Sequence, residues 1–129
     1  MMLKSFLLVT AVVELVTGIF LVILPGRPLA LLLGADQPAP ETLLVGRWAG
    51  VALLAIGVAS AMTRNDSGSA ASRAVLAGIL TYDVAAAVLL IYAAIVMLMV
   101  GPALWPAVVL HAALAVWCVL CLRARTTPS

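Results

Sequence analysis

The sequence predicts an all-α membrane protein in which a single transmembrane domain, residues 1–129, forms an antiparallel bundle of four transmembrane helices. Hydrophobic residues make up 66% of the 129 residues and charged residues only 9%, whereas a soluble domain is about half apolar and about a quarter charged. A soluble fold of this size also exposes more surface than so few charges can cover. The apolar side chains should therefore face lipid, and the net charge of +2 gives nucleic-acid binding no support.

Four apolar runs are each close to the roughly 20 residues that a helix needs to cross a bilayer. We predict helices over about residues 3–24, 40–63, 73–100 and 105–123. Helices are the expected conformation because backbone polar groups in lipid have to be satisfied within the segment. The first run is longer than the core of a signal peptide and has no cleavage pattern after it. The third run is the longest, so we expect that helix to tilt or to protrude.

The connections between these runs differ in length and polarity. Residues 25–28 (PGRP) end the first helix, and residues 29–34 (LALLLG) are too few to span a membrane. This leucine-rich segment predicts a short interfacial helix that ends at Gly34. The third connection, residues 101–106, is tight and uncharged, and its Trp105 suits the level of the lipid headgroups.

The distribution of Lys and Arg predicts that both termini lie on the cytoplasmic side, because cytoplasmic loops carry an excess of these residues. On this orientation two arginines, Arg27 and Arg47, lie toward the outer side. The inner side carries five cations, namely Lys4, Arg64, Arg73, Arg123 and Arg125.

Each predicted helix contains an ionisable residue, although a charge in hydrocarbon costs at least a few kcal/mol. These four residues and one neighbouring tyrosine form a candidate intramembrane polar site: Glu14, Arg47, Tyr82, Asp83 and His111. Because Glu14 and Arg47 lie on sequential helices, we expect them to form an ion pair. Such a pair could be functional, or it could only fix how the helices pack.

Other motifs give less support to a specific chemistry. Cys118 and Cys121 form a CxxC pattern, but on a membrane helix that faces a reducing cytosol we expect both to be packing residues. The His, Cys and carboxylate positions match no metal-ligand spacing. No phosphate-binding glycine loop, nucleophile elbow or catalytic triad is visible. We therefore predict no metal and no cofactor, and a role other than catalysis is favoured.

Two segments carry a resemblance to known proteins. Residues 46–54 (GRWAGVALL) and 104–112 (LWPAVVLHA) resemble a type of uncharacterised small bacterial inner-membrane protein, and the four-helix layout is similar to DoxX-like proteins in architecture. Glu14, within residues 13–18 (VELVTG), is also similar to the membrane-embedded glutamate of small multidrug-resistance transporters. That second resemblance implies exchange of protons for a cationic substrate. The chain departs from it in the additional charges and in having few aromatic residues.

These patterns lead to two hypotheses for a multi-pass protein of the bacterial inner membrane, whose first partner is the lipid bilayer. In the first, the polar site binds a lipophilic or amphipathic small molecule or relays protons, and a proton-coupled exporter is a narrower version of it. In the second, the protein is a non-catalytic accessory subunit or a homo-oligomer, with a membrane-complex partner or a second copy, and the buried charges are structural. The second hypothesis predicts a stripe of small residues facing outward.

Overall fold

The computed structural model describes residues 1–66 and 68–124, and the regular secondary structure of that part of the chain is entirely helical. Arg125, one of the five cations assigned to the inner side, lies outside the described residues. The five helices in chain order are α1 (Met2–Ile23), α2 (Gly26–Leu33), α3 (Pro40–Thr63), α4 (Ala70–Ile95) and α5 (Leu104–Arg123).

Four of these helices have the length and the apolarity of membrane spans. They contain 20 to 26 residues and have mean hydropathy values between 1.8 and 2.6. At 1.5 Å per residue they are about 30–39 Å long, enough to cross about 30 Å of hydrocarbon. Large apolar side chains also cover the outside of the bundle, with Trp48 77% and Met62 79% exposed. Together these properties indicate a multi-pass membrane protein.

The observed bounds of α1, α3 and α5 agree with the predicted ranges to within one residue. The third predicted span differs, because α4 covers Ala70–Ile95 rather than 73–100. It begins earlier because the Ser69 hydroxyl accepts a hydrogen bond from the backbone N–H of Ser72 at 3.1 Å, which is a typical N-cap. It ends earlier because Leu98 has a left-handed backbone conformation with φ of 55°. The residues that follow the end of α4 are still apolar, so hydrophobicity does not show where this helix ends.

The predicted short helix between the first two spans is present as α2. It begins at Gly26, and Pro28 is tolerated in its first turn, where a backbone N–H has no helical partner to lose. It ends at Gly34, as predicted, with a left-handed φ of 72°. Helix α2 packs on the connection between α4 and α5, where the Ala103 N–H donates to the Leu31 carbonyl oxygen at 2.8 Å.

The long helices associate mainly as two pairs, α1 with α3 and α4 with α5. In the first pair, a Cβ atom added to Gly50 would lie 2.8 Å from the carbonyl oxygen of Gly18. Such close approach needs small residues at the interface. The two pairs meet around an apolar cluster formed by α1, α4 and α5. Its buried members are Phe6, Leu7, Leu76, Ile79, Leu114, Cys118 and Cys121.

Candidate functional site

A hydrogen bond between the side chains of Asp83 and His111 joins α4 to α5 within the membrane-spanning part of the bundle. Nδ1 of His111 lies 2.8 Å from Oδ1 of Asp83, a distance at which a ring N–H donates to the carboxylate. The Asp83 side chain is 1% exposed and that of His111 is 14% exposed. Tyr82 packs edge-to-face against the imidazole, with 5.5 Å between the ring centroids and 79° between the planes. The carboxylate and the aromatic edge together fix the orientation of the histidine ring.

Helix α1 adds two further polar residues to this region. Glu14 is 2% exposed and Thr10, one turn before it, is fully buried. Glu14 interacts electrostatically with His111, Asp83 and Tyr82. We refer to the five residues Thr10, Glu14, Tyr82, Asp83 and His111 as the polar layer.

Three members of the polar layer, Glu14, Asp83 and His111, lie at a similar depth along their helices. Glu14 is about 18 Å from the Met2 end of α1, and Asp83 is about 20 Å from the Ala70 end of α4, at 1.5 Å per residue. His111 is about 18 Å from the Arg123 end of α5. The apolar cluster lies between the layer and these ends, because its residues come one or more turns nearer to them. It separates the polar groups from that side of the membrane.

Arg47, the remaining residue of the predicted site, lies apart from the polar layer. Its side chain is exposed, and Nε donates to the carbonyl oxygen of Val22 at 3.2 Å. Val22 is two turns along α1 from Glu14, about 12 Å at 1.5 Å per residue. The expected Glu14–Arg47 ion pair therefore does not form. A long side chain near the end of a span reaches polar groups at the membrane surface more readily than its midplane.

The polar layer contains more hydrogen-bond acceptors and negative charge than its own residues can satisfy. It combines two carboxyl groups with one imidazole, so at most one of the two carboxyl groups can have a cation beside it within the layer. Asp83 Oδ2 and Thr10 Oγ1 are buried and make no hydrogen bond with the described residues. Glu14, which is 2% exposed, interacts electrostatically with both His111 and Asp83. An unpaired buried charge is unfavourable by several kcal/mol, so the layer is chemically suited to take up a proton or another hydrogen-bond donor.

The two cysteines have the structural role expected of them. Both are buried and neither forms a disulfide, and Cys118 Sγ donates to the carbonyl oxygen of Leu76 at 3.4 Å. They lie in the apolar cluster that joins α5 to α1 and α4. Within residues 1–66 and 68–124, no group of three or more His, Cys, Asp or Glu side chains is arranged to hold a metal ion.

The sequence predicted the members of the polar layer better than their contacts. Pairing was expected between Glu14 and Arg47, and the Asp83–His111 pair was not. One signal for it was available, because both residues lie at a similar distance from the Ala70 end of α4 and the Arg123 end of α5, and these helices are consecutive in the chain. Thr10 lies one turn from Glu14 on the same helix, but its unpaired hydroxyl depends on packing that spacing does not reveal.

No family model, curated protein or solved structure matches this chain.

Proposed function

We propose that this protein handles protons in a bacterial inner membrane, with the polar layer as an intramembrane proton-binding and relay site. The observation that carries the proposal is the buried Asp83–His111 pair with Glu14 beside it. Imidazole and carboxyl groups exchange protons readily, and chains of Asp, Glu and His are the usual proton relays of membrane proteins. A proton that binds to the layer would neutralise the charge that has no partner.

Relay of protons has more support than a pocket for a small molecule. Asp83 and Glu14 are almost completely buried, so a bound group next to them has to be very small. Two grooves on the described part of the protein are lined by other residues, one at the ends of α1, α2 and α3 and one between α4 and α5. Proton-coupled export of a larger cation would require the helices to separate next to Glu14. We therefore favour the proton alone as the species that the layer binds.

We further propose that the bundle is antiparallel with both termini in the cytoplasm. Contacts in the first pair support the antiparallel arrangement, because Leu15 lies against Gly57 while Gly18 lies against Gly50. The Lys and Arg distribution supports the orientation. A reporter that is active only in the periplasm, fused after Ser129, should be silent. Activity of that fusion would reverse the orientation.

Proton relay can be tested in liposomes that contain the purified protein and a trapped pH-sensitive dye. After an imposed pH step, we expect proton entry to be faster than in empty liposomes. Glu14→Gln and Asp83→Asn should each reduce the rate to that of empty liposomes, because each removes a titrating group. Glu41→Gln is the matched control, since Glu41 is an exposed carboxylate in the first turn of α3. Equal rates for wild type, Glu14→Gln and Asp83→Asn would refute the relay.

A second candidate function, as an accessory or oligomeric subunit, is favoured by a stripe of small residues on the outside of α4. A Cβ atom added to Gly78 would meet nothing within 4 Å, so this face is open to another helix. The exposed small residues of the stripe are Ala74, Ala77, Gly78, Thr81 and Ala85. Bulky substitutions such as Gly78→Leu should then change the mass of the extracted complex without changing proton entry.

A further inference from the structure

A groove of about 440 Å³ lies where the end of α1 meets α2 and α3, away from the polar layer. Its walls include apolar residues that are largely exposed, with Ile23 64% and Leu24 53% accessible. Two guanidinium groups and one carboxylate also line it, from Arg27 on α2, Arg47 on α3 and Asp36 in the connection between these helices. The groove thus combines an apolar wall with a net positive charge.

The two arginines are available to bind an anion. Nε of Arg47 is held by the Val22 carbonyl oxygen at 3.2 Å, which fixes the guanidinium and leaves its terminal NH₂ groups to donate elsewhere. The Arg27 guanidinium makes no hydrogen bond or ion pair with the described residues, and its side chain is exposed. Planar guanidinium groups bind phosphate through two parallel hydrogen bonds. Two of them at one groove fit a phosphate group better than a single charge would.

The groove lies at the level that lipid headgroups occupy. It is at the Ile23 end of α1, and Arg47 is about 10 Å from the Pro40 end of α3 at 1.5 Å per residue. A span that crosses about 30 Å of hydrocarbon has its ends in the interfacial region. A phosphate beside the arginines would therefore place attached acyl chains against Ile23 and Leu24.

The charge distribution adds a second reason, which rests on the proposed orientation, to assign a role to these arginines. Arg27 and Arg47 are the two cations on the side of the protein that has few of them. Cations on that side run against the usual preference for the cytoplasmic face. Both arginines line the same groove. A specific anionic ligand explains this placement, whereas a general bias in charge distribution does not.

We propose that this groove binds the phosphate of a membrane phospholipid, with Arg27 and Arg47 as the ligands and with the lipid chains lying along the end of α1. The inference does not depend on proton relay, since none of the polar-layer residues lines the groove. It makes Arg47 part of a lipid site rather than of the intramembrane polar site.

The test measures thermal unfolding of the full chain in detergent as the mole fraction of phosphatidylglycerol increases. The wild-type midpoint should rise and then saturate. In the double variant Arg27→Gln/Arg47→Gln, the mole fraction at half saturation should increase at least about tenfold, because charge-assisted hydrogen bonds to the phosphate are lost. Arg64→Gln is the matched control, as Arg64 is an exposed arginine at the other end of α3, and it should respond like wild type. The conservative variant Arg47→Lys keeps the charge without the planar fork and should show a smaller, several-fold loss.

Two further probes separate the phosphate from the rest of the lipid. Diacylglycerol with the same chains and inorganic phosphate should each stabilise the protein much less than phosphatidylglycerol does. An equal effect of diacylglycerol would show that the chains alone bind, and an equal effect of inorganic phosphate would show a site for the free ion. Either result, or a double variant that responds like wild type, would overturn the proposal. If the double variant does not fold, an unchanged response of Arg47→Lys would overturn it.

Discussion

The two helix pairs of this protein are held together in different ways. In the α1–α3 pair the backbones touch, because an added Cβ atom on Gly57 would lie 2.7 Å from Cγ of Leu15 and one on Gly50 would meet the Gly18 carbonyl oxygen. In the α4–α5 pair the connection is polar, through His111 with Asp83 and Cys118 with the Leu76 carbonyl oxygen. Both kinds of contact can hold helices together in a bilayer, because helix association there depends on close packing and on interhelical hydrogen bonds.

This difference predicts different sensitivities. The first pair should be most sensitive to added volume at its glycines, whereas the second should be most sensitive to the loss of a polar partner. Titratable groups are concentrated where the second pair meets α1, so function should depend on the polar pair and its neighbour Glu14. The α1–α3 contact then acts as a rigid support that holds Glu14 at the depth of Asp83 and His111.

The largest effect should come from Gly50→Ala. Its new methyl carbon would lie 2.8 Å from the Gly18 carbonyl oxygen and 2.9 Å from Cβ of Leu21, so backbone has to move. We expect a loss of about 3 kcal/mol in the free energy of unfolding, at the upper end of the cost of overpacking. Reversible unfolding in mixed micelles measures it.

The matched control for that change is Gly78→Ala on α4, where the added carbon meets nothing within 4 Å. Alanine is the better helix former, so this variant should gain about 0.5–1 kcal/mol. Equal losses for the two glycine variants would mean that α1 and α3 do not pack more closely than the other helices.

A smaller effect, about 2 kcal/mol, should follow from Asp83→Ala. Removing one member of a buried pair leaves the other without its partner, and the partial exposure of His111 moderates the loss. In the double variant Asp83→Ala/His111→Ala, about 1 kcal/mol of the summed loss should be recovered. The double-mutant cycle is measured by unfolding in detergent, and strictly additive losses would contradict a direct contact.

Much of the fold could be predicted from the sequence because lipid imposes simple requirements on it. The bounds of α1, α3 and α5 follow from the length of the apolar runs, and α2 follows from a leucine-rich segment with Gly34 after it. The end of α4 could not be predicted in this way. Residues 96–100 are as apolar as a helix interior, and the turn there depends on the backbone conformation of Leu98.

The sequence predicted most of the residues that form the site, but it did not predict which of them contact one another. A buried carboxylate or imidazole on each of three helices is conspicuous against the cost of charge in hydrocarbon. Which of them pair depends on helix rotation and on how the two pairs dock, and no local pattern encodes either. Arg47 was assigned to the site for its charge alone, although its length allows it to reach the Ile23 end of α1 instead.

The loops that connect the helices of each pair differ as well. This difference predicts changes of about 1 kcal/mol in the free energy of unfolding. The α1–α3 connection uses Gly34 for its left-handed residue, whereas the α4–α5 connection uses Leu98. A left-handed conformation costs an L-residue about 1–2 kcal/mol, and glycine has a smaller penalty of its own from backbone entropy. Leu98→Gly should therefore raise the free energy of unfolding by about 1 kcal/mol, and Gly34→Ala should lower it by a similar amount. Chemical denaturation in detergent compares the two, and a stabilised Gly34→Ala would contradict the backbone argument.

The smallest effect predicted is the coupling between Glu14 and Arg47, which separates the polar layer from the groove at the end of α1. Arg47 is bonded two turns along α1 from Glu14, so Glu14→Gln and Arg47→Gln should change the free energy of unfolding additively, within about 0.5 kcal/mol. In liposomes Glu14→Gln should abolish proton entry, while Arg47→Gln should leave it unchanged. In detergent with phosphatidylglycerol the two variants should behave in the opposite way. Arg47→Gln should weaken stabilisation by the lipid, and Glu14→Gln should not. A coupling of 2 kcal/mol or more, or proton entry that is lost in both variants, would return Arg47 to the polar layer and make the two sites one.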